Sequence, residues 1–209
     1  MPTAALSALR RLIQGNRDFV AGIRNHTLPS LDQFTELAKA QNPFAIILGC
    51  SDSRVPAEIV FNQGLGDLFV IRVAGNIVAP SQIGSVEFAV ARFGTPLVVV
   101  LGHSRCGAVL ATLDQLQQPA ALQSRNLASI VHRVRPAVEP LLHTDLIHHP
   151  DALMHEAVRA NVLASANQLR HASELLEPMI EDGRLLVVGA EYRLETGEVE
   201  FFDGMPEVL

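Results

Sequence analysis

Cys50 and Cys106 are the only cysteines in this 209-residue chain, and each sits in a short polar motif closing an apolar run. The first motif is Gly49-Cys50-Ser51-Asp52-Ser53-Arg54, the second Gly102-His103-Ser104-Arg105-Cys106-Gly107. Cys50, His103 and Cys106 together offer two thiolates and an imidazole, a donor set that zinc favours. Three protein ligands leave a fourth position open, which is the catalytic rather than the structural pattern. A water in that position would have its pKa lowered to about 7. Two thiolates also offset much of the metal's charge, so a nearby group must orient the nucleophile. Asp52 and Arg54 follow Cys50 closely enough to do so. A carboxylate can accept the hydrogen bond of the hydroxide, and a guanidinium can grip that carboxylate bidentately and keep it ionised. Released by Arg54, Asp52 would become a fourth ligand and shut the site.

Blander readings exist for each residue alone. Buried cysteines are often inert packing residues, and His103 alone would pass for a satisfied histidine at a strand end. The five residues at these joint offsets argue against both. Gly102-His103-Ser104-Arg105-Cys106 matches a Gly-x-Ser-x-Gly nucleophile elbow in outline. Its fifth residue is cysteine, however, and a serine hydrolase would leave Cys50 to Asp52 without a role. A non-catalytic zinc module would need a permanent fourth ligand, which Asp52 could supply. His143, His148, His149 and His155 read as a solvated loop and helix start.

The motifs must be held by regular elements. Apolar runs at 44–49, 67–73, 96–102 and 185–190 read as strands, and Glu195-Thr196-Gly197 turns the last one into an antiparallel strand at 198–202. Helical spacing covers 4–21, 31–40 with Ser30 as N-cap, 85–93, 104–116, 127–138 and a long helix from an Asp151 cap to 176. Residues 117–124 read as a loop. Strands alternating with helices predict an α/β fold: a mostly parallel central sheet flanked by helices, an antiparallel C-terminal edge strand and an N-terminal helical arm over 1–40. The whole of 1–209 reads as one domain. Both cysteine motifs then fall at the carboxyl ends of strands, where open α/β sheets keep their sites.

The bulk properties narrow the function classes. At 48% hydrophobic and 18% charged, the chain has the composition of a globular domain. A net charge of −6 with no basic run speaks against a nucleic-acid partner. No apolar stretch is long enough to span a membrane, and no apolar signal core follows Arg10 and Arg11. The expected compartment is the cytoplasm, where a Cys50–Cys106 disulfide is disfavoured.

Cys50-Ser-Asp-Ser-Arg-Val55 followed by Gly102-His-Ser-x-Cys-Gly107 resembles the β-class carbonic anhydrases. The likeness extends through Gly66–Asn76 and Ser85–Val90 and runs from about residue 12 to 202. The resemblance implies a zinc enzyme that interconverts CO2 and bicarbonate, with Cys50, His103 and Cys106 as ligands and Asp52 and Arg54 as the catalytic pair. It implies substrate contacts from Gln41, from Phe69, Ala74 and Phe88 lining a small apolar CO2 pocket, and from the Gly107 N–H. It implies a homodimer or dimer of dimers, and it leaves open a relative that hydrolyses carbonyl sulfide or carbon disulfide on the same site. Two departures stand out. Ile47 occupies a position where one subgroup carries a tryptophan of a bicarbonate inhibitory site, leaving Tyr192 and Arg72 an incomplete set. Phe88 and Arg92 replace the Tyr-x-x-x-His of plant relatives, so the proton route through that histidine is missing.

Overall fold

The computed structural model describes residues 3–24, 30–118 and 124–207. Five strands form one sheet: β1 (Ala45–Gly49), β2 (Leu68–Arg72), β3 (Leu97–His103), β4 (Leu186–Tyr192) and β5 (Val199–Asp203), in the order β2-β1-β3-β4-β5. The first four are mutually parallel, and β5 runs antiparallel to β4. Every residue of β1 and β3 is buried, as expected of inner parallel strands covered on both faces. This is the α/β architecture that the alternating pattern predicts.

Helices cover both faces. On one side, α1 (Thr3–Val20) and the short α3 (Ala57–Val60) pack on Ile47, Val99 and Val188. On the other, α4 (Pro80–Phe93) and α7 (Pro150–His171) pack on Ile46, Leu48, Val98 and Val100. A third cluster lies at the carboxyl end of the sheet, where α5 (Gly107–Gln117), α6 (Arg125–Val138) and the first turns of α7 enclose Cys50 and Cys106.

The predicted arm divides in two. Leu9 and Leu12 of α1 are fully buried in the protomer's own core, each such burial being worth about 1.5–3 kcal/mol. Only α2 (Leu31–Leu37) keeps the character of an arm, with no buried residue. It does begin at Ser30, which forms a reciprocal capping box with Gln33.

Several boundaries differ from expectation: α4 begins at Pro80 rather than 85, with proline at the first helical position. Asp151 does not cap the long helix: Pro150, which has no N–H to leave unpaired, takes its first position and puts Asp151 inside the first turn. That helix stops at His171. Ser173 Oγ then accepts the amides of Leu175 and Leu176, and a separate α8 (Leu176–Glu181) follows. The helix after β3 begins at Gly107 rather than at 104 or 105, for reasons that belong to the site. The 117–124 loop reading falls mostly on 119–123, outside the described residues.

Candidate metal centre

From β1 the chain crosses to β2 on one side, then returns to place β3 on the other side of β1. The gap between β1 and β3 is therefore the switch point of the sheet, where the loops leaving two adjacent strands diverge and open a crevice. Cys50 is the first residue past β1 and His103 the last of β3. Cys106 joins them from the residue before α5. Their ligand atoms all lie within 4.8 Å of one another, and all three residues are buried.

His103 and Cys106 do not meet on a helical turn. Ser104 extends the strand pairing by donating its N–H to Tyr192 O at 2.9 Å. Its hydroxyl donates to Glu195 at 2.8 Å and accepts the Leu194 amide at 3.0 Å. Arg105 adopts a left-handed backbone, φ 56°, and pairs with the other Glu195 oxygen at 2.9 Å. The β4–β5 hairpin thus clamps residues 104 and 105 in a turn, and the helix cannot start before Gly107. Gly102 makes room for this end of the sheet, because a Cβ there would lie 2.5 Å from Val162 of α7. Sequence spacing carries no sign of Glu195, which is 91 residues from Ser104.

The donor set fits a cation. His103 Nδ1 lies 2.9 Å from Ser104 O, and a carbonyl can only accept, so Nδ1 carries the proton and Nε2 presents its lone pair. That Nε2 is buried without a hydrogen-bond partner, and the nearby group across from it is the Asp52 carboxylate at 3.9 Å. Two electron-rich atoms facing each other in a buried site beside two thiols are satisfied by a metal ion. The thiolate form of Cys50 is favoured, its pKa lowered to about 4 first by the hydrogen bond from Cys106 and further by the Gly75 amide. Cys106, the donor of that bond and deeply buried, is pushed up in turn.

Asp52 stands just outside the three-ligand group. Arg54 grips it through Nε at 2.9 Å and Nη2 at 2.8 Å, and the Arg54 amide adds a third bond at 3.0 Å. Those donors hold the carboxyl well below the usual carboxylate range. Arg72, from the end of β2, donates to the carbonyls of Cys50 and Asp52 and so ties down the loop that carries both.

The remaining candidates separate. Ala74 precedes Gly75, whose amide touches Cys50, and Gly107 opens α5 beside Cys106 with free space above it. Phe69 is registered opposite Ile46, four residues before Cys50, or about 13 Å down the sheet at 3.3 Å per residue. There it forms a ring cluster with Phe88 and Phe93 at 6.2 Å. Gln41 precedes β1 and is exposed at the sheet's opposite, amino end. Neither Gln41 nor the phenylalanines reach Cys50 within one protomer.

Comparison with known proteins agrees with this geometry. A family model described as carbonic anhydrase matches residues 45–199. Carbonic anhydrase 2 of Mycobacterium tuberculosis is 39% identical over 204 residues, spanning 97% of this chain and 93% of the relative. The carbonic anhydrase of Mycolicibacterium smegmatis is 39% identical over 201 residues, 95% of this chain and 92% of the relative. Among solved structures, a tetrameric β-carbonic anhydrase of the ascomycete Sordaria macrospora superposes with a TM-score of 0.72 at 25% identity, covering 81% of this chain and 85% of that one.

Proposed function

The chain belongs to the β-class carbonic anhydrase family, and on that ground we propose that it hydrates CO2 reversibly to bicarbonate and a proton with zinc held by Cys50, His103 and Cys106. The observation that carries this reading is the Asp52–Arg54 pair: a carboxylate close enough to serve the site, yet held off the ligand set by a bidentate guanidinium. Zinc, when bound, supplies a Lewis acid that makes a water acidic enough to act as nucleophile near neutral pH.

The chain's own residues then have distinct work. Asp52 accepts the hydrogen bond of the attacking oxygen and turns its lone pair toward the CO2 carbon. Because three N–H groups already hold that carboxylate, it stays a pure acceptor and does not take the proton. The Gly107 N–H, one of the unpaired amides of a helix start, can hold an oxygen of the product anion. Arg72 keeps Cys50 and Asp52 in mutual register.

Gln41, Phe69 and Phe88 cannot serve their own protomer's centre, so we assign them to the site of a second copy, in a homodimer or dimer of dimers. Phe88 is 55% exposed on the single chain, which suits a residue covered by association. The likeness to a tetrameric relative supports the same reading. We place the enzyme in the cytoplasm, where the two free thiols would persist. Among the described residues no helix is long and apolar enough to cross a membrane.

Metal analysis of the purified protein, with a stopped-flow CO2 hydration assay, tests the proposal. One zinc per chain and rapid hydration are expected. A zinc-loaded protein that hydrolysed carbonyl sulfide or carbon disulfide but left CO2 untouched would overturn the substrate assignment.

A further inference from the structure

Backbone amides face both ligand sulfurs: the Asp52 and Gly75 N–H groups approach Cys50 Sγ, Gly75 at 3.3 Å, and the Ala108 and Val109 N–H groups approach Cys106. Gly75 sits in the tight turn Ala74–Asn76 that follows β2, with φ 72°. L-residues resist that conformation, and a Cβ there would come 3.0 Å from the Ala108 Cβ. The direction of the amide is set from the other end of the same residue. Asn161 Nδ2, on α7, donates to Gly75 O at 2.7 Å. Asn161 is 2% exposed on the buried face of α7, among Ala157, Val158 and Val162. An apolar side chain would pack there without the cost of burying an amide, so the hydrogen bond is what the asparagine supplies.

We propose that Asn161 is a positioning residue that, by holding the Gly75 carbonyl, aims the Gly75 N–H at the Cys50 thiolate and so limits the charge this sulfur gives to a bound metal. A thiolate that accepts an N–H bond is a weaker donor, and the metal it binds remains a stronger Lewis acid. This offsets the weakening that two thiolate ligands impose. Partners in this second layer are typically worth about 10- to 100-fold in metal affinity or activity. The inference rests on the metal-binding reading of the centre.

The first test uses the wild-type protein loaded with 113Cd. The Gly75 amide proton should show scalar coupling to the metal across the N–H···S bond. A protein that takes up no cadmium, cobalt or zinc would sink the metal reading itself. One that loads cadmium without this coupling would sink only the present proposal. The second test compares Asn161→Leu and Gly75→Ala, loaded with Co(II), against Leu169→Ala, a buried site further along the same helix. The first two should move the sulfur-to-cobalt charge-transfer band to longer wavelength, and their zinc forms should lose about tenfold in kcat with KM little changed. Leu169→Ala should lower thermal stability and leave the band in place. A purely structural role for Asn161 would show as lost stability with an unmoved band, and that result would overturn the proposal.

Discussion

Two buried polar clusters lie at the carboxyl end of the same sheet, one strand apart, and they are built on opposite terms. In the first, acceptors meet donors: Cys50 Sγ receives the Gly75 amide, Asp52 three N–H groups, and His103 is fixed through Nδ1. The second centres on Glu191 of β4, opposite Gly102 in the register. Glu191 is 1% exposed and neither of its oxygens has a hydrogen bond. The basic side chains nearest to it are His155, with Nε2 at 3.4 Å, and Arg159, with Nη1 at 3.7 Å, and burial pushes its carboxyl up despite them. The difference separates a constellation organised for a ligand from a charge that folding merely tolerates. Polar atoms arranged to converge hold a geometry, whereas a buried carboxylate with basic neighbours but no hydrogen bond bears a desolvation cost only partly relieved.

The largest effect should come from removing a ligand. Cys106→Ser should lose zinc and reduce CO2 hydration to background, read by elemental analysis and stopped flow. A metal-replete, active variant would show that the first cluster is packing and no more a site than the second.

Next come the carboxylate and its clasp. Asp52→Asn and Arg54→Ala should each lower turnover by about 10²- to 10⁴-fold at full zinc occupancy. An amide offers a donor where an acceptor is needed, and without Arg54 the carboxylate is free to ligate the metal. Near-wild-type hydration by Asp52→Asn would refute the orienting role.

Gln41→Ala should cost less, because the ligands and Asp52 remain. Mixed with Cys106→Ser chains and reassembled, it should regain activity above the mean of the two homo-oligomers, since one hybrid site would draw an intact Gln41 from the other chain. Absence of that gain in verified hybrids would show that Gln41 does not act across copies.

The smallest effect belongs to Glu191. A carboxyl whose folded pKa lies above its unfolded value destabilises the fold at neutral pH; the penalty shrinks as pH falls through the raised folded value and is gone below about 4.3, where the unfolded chain is protonated too. Glu191→Gln should therefore raise stability by about 1 kcal/mol at pH 8, with a smaller gain at pH 4. A fall in melting temperature at pH 8 would mean that Arg159 compensates the burial after all, and the contrast between the clusters would dissolve.

Much of the centre was legible from residue types because its chemistry is local. Cys50, Asp52 and Arg54 sit within one loop, and His103 and Cys106 flank one turn, so their offsets carry the signal. The strands were legible for a similar reason: inner parallel strands read as unbroken apolar runs. Helix starts were harder. Asp151 has the chemistry of a cap but is displaced by Pro150, and the helix after β3 is delayed by the hairpin clamp. The apolar face of α1 was visible, but not what it would cover, since periodicity records a buried face without naming its partner.

The sequence by itself determined the donor set, the carboxylate–guanidinium pair and the strands that carry them. Those depend on side-chain chemistry and short-range spacing, which a linear chain displays. The tertiary structure alone decided that β1 and β3 are neighbours at the switch point, that Glu195 clamps the turn at Ser104 and Arg105, and that Asn161 holds Gly75. It also placed Gln41 and Phe69 away from their own centre. Each of these joins residues far apart in the chain through a single hydrogen bond or a register step. Such links leave no periodic trace, and only the folded chain brings their ends together.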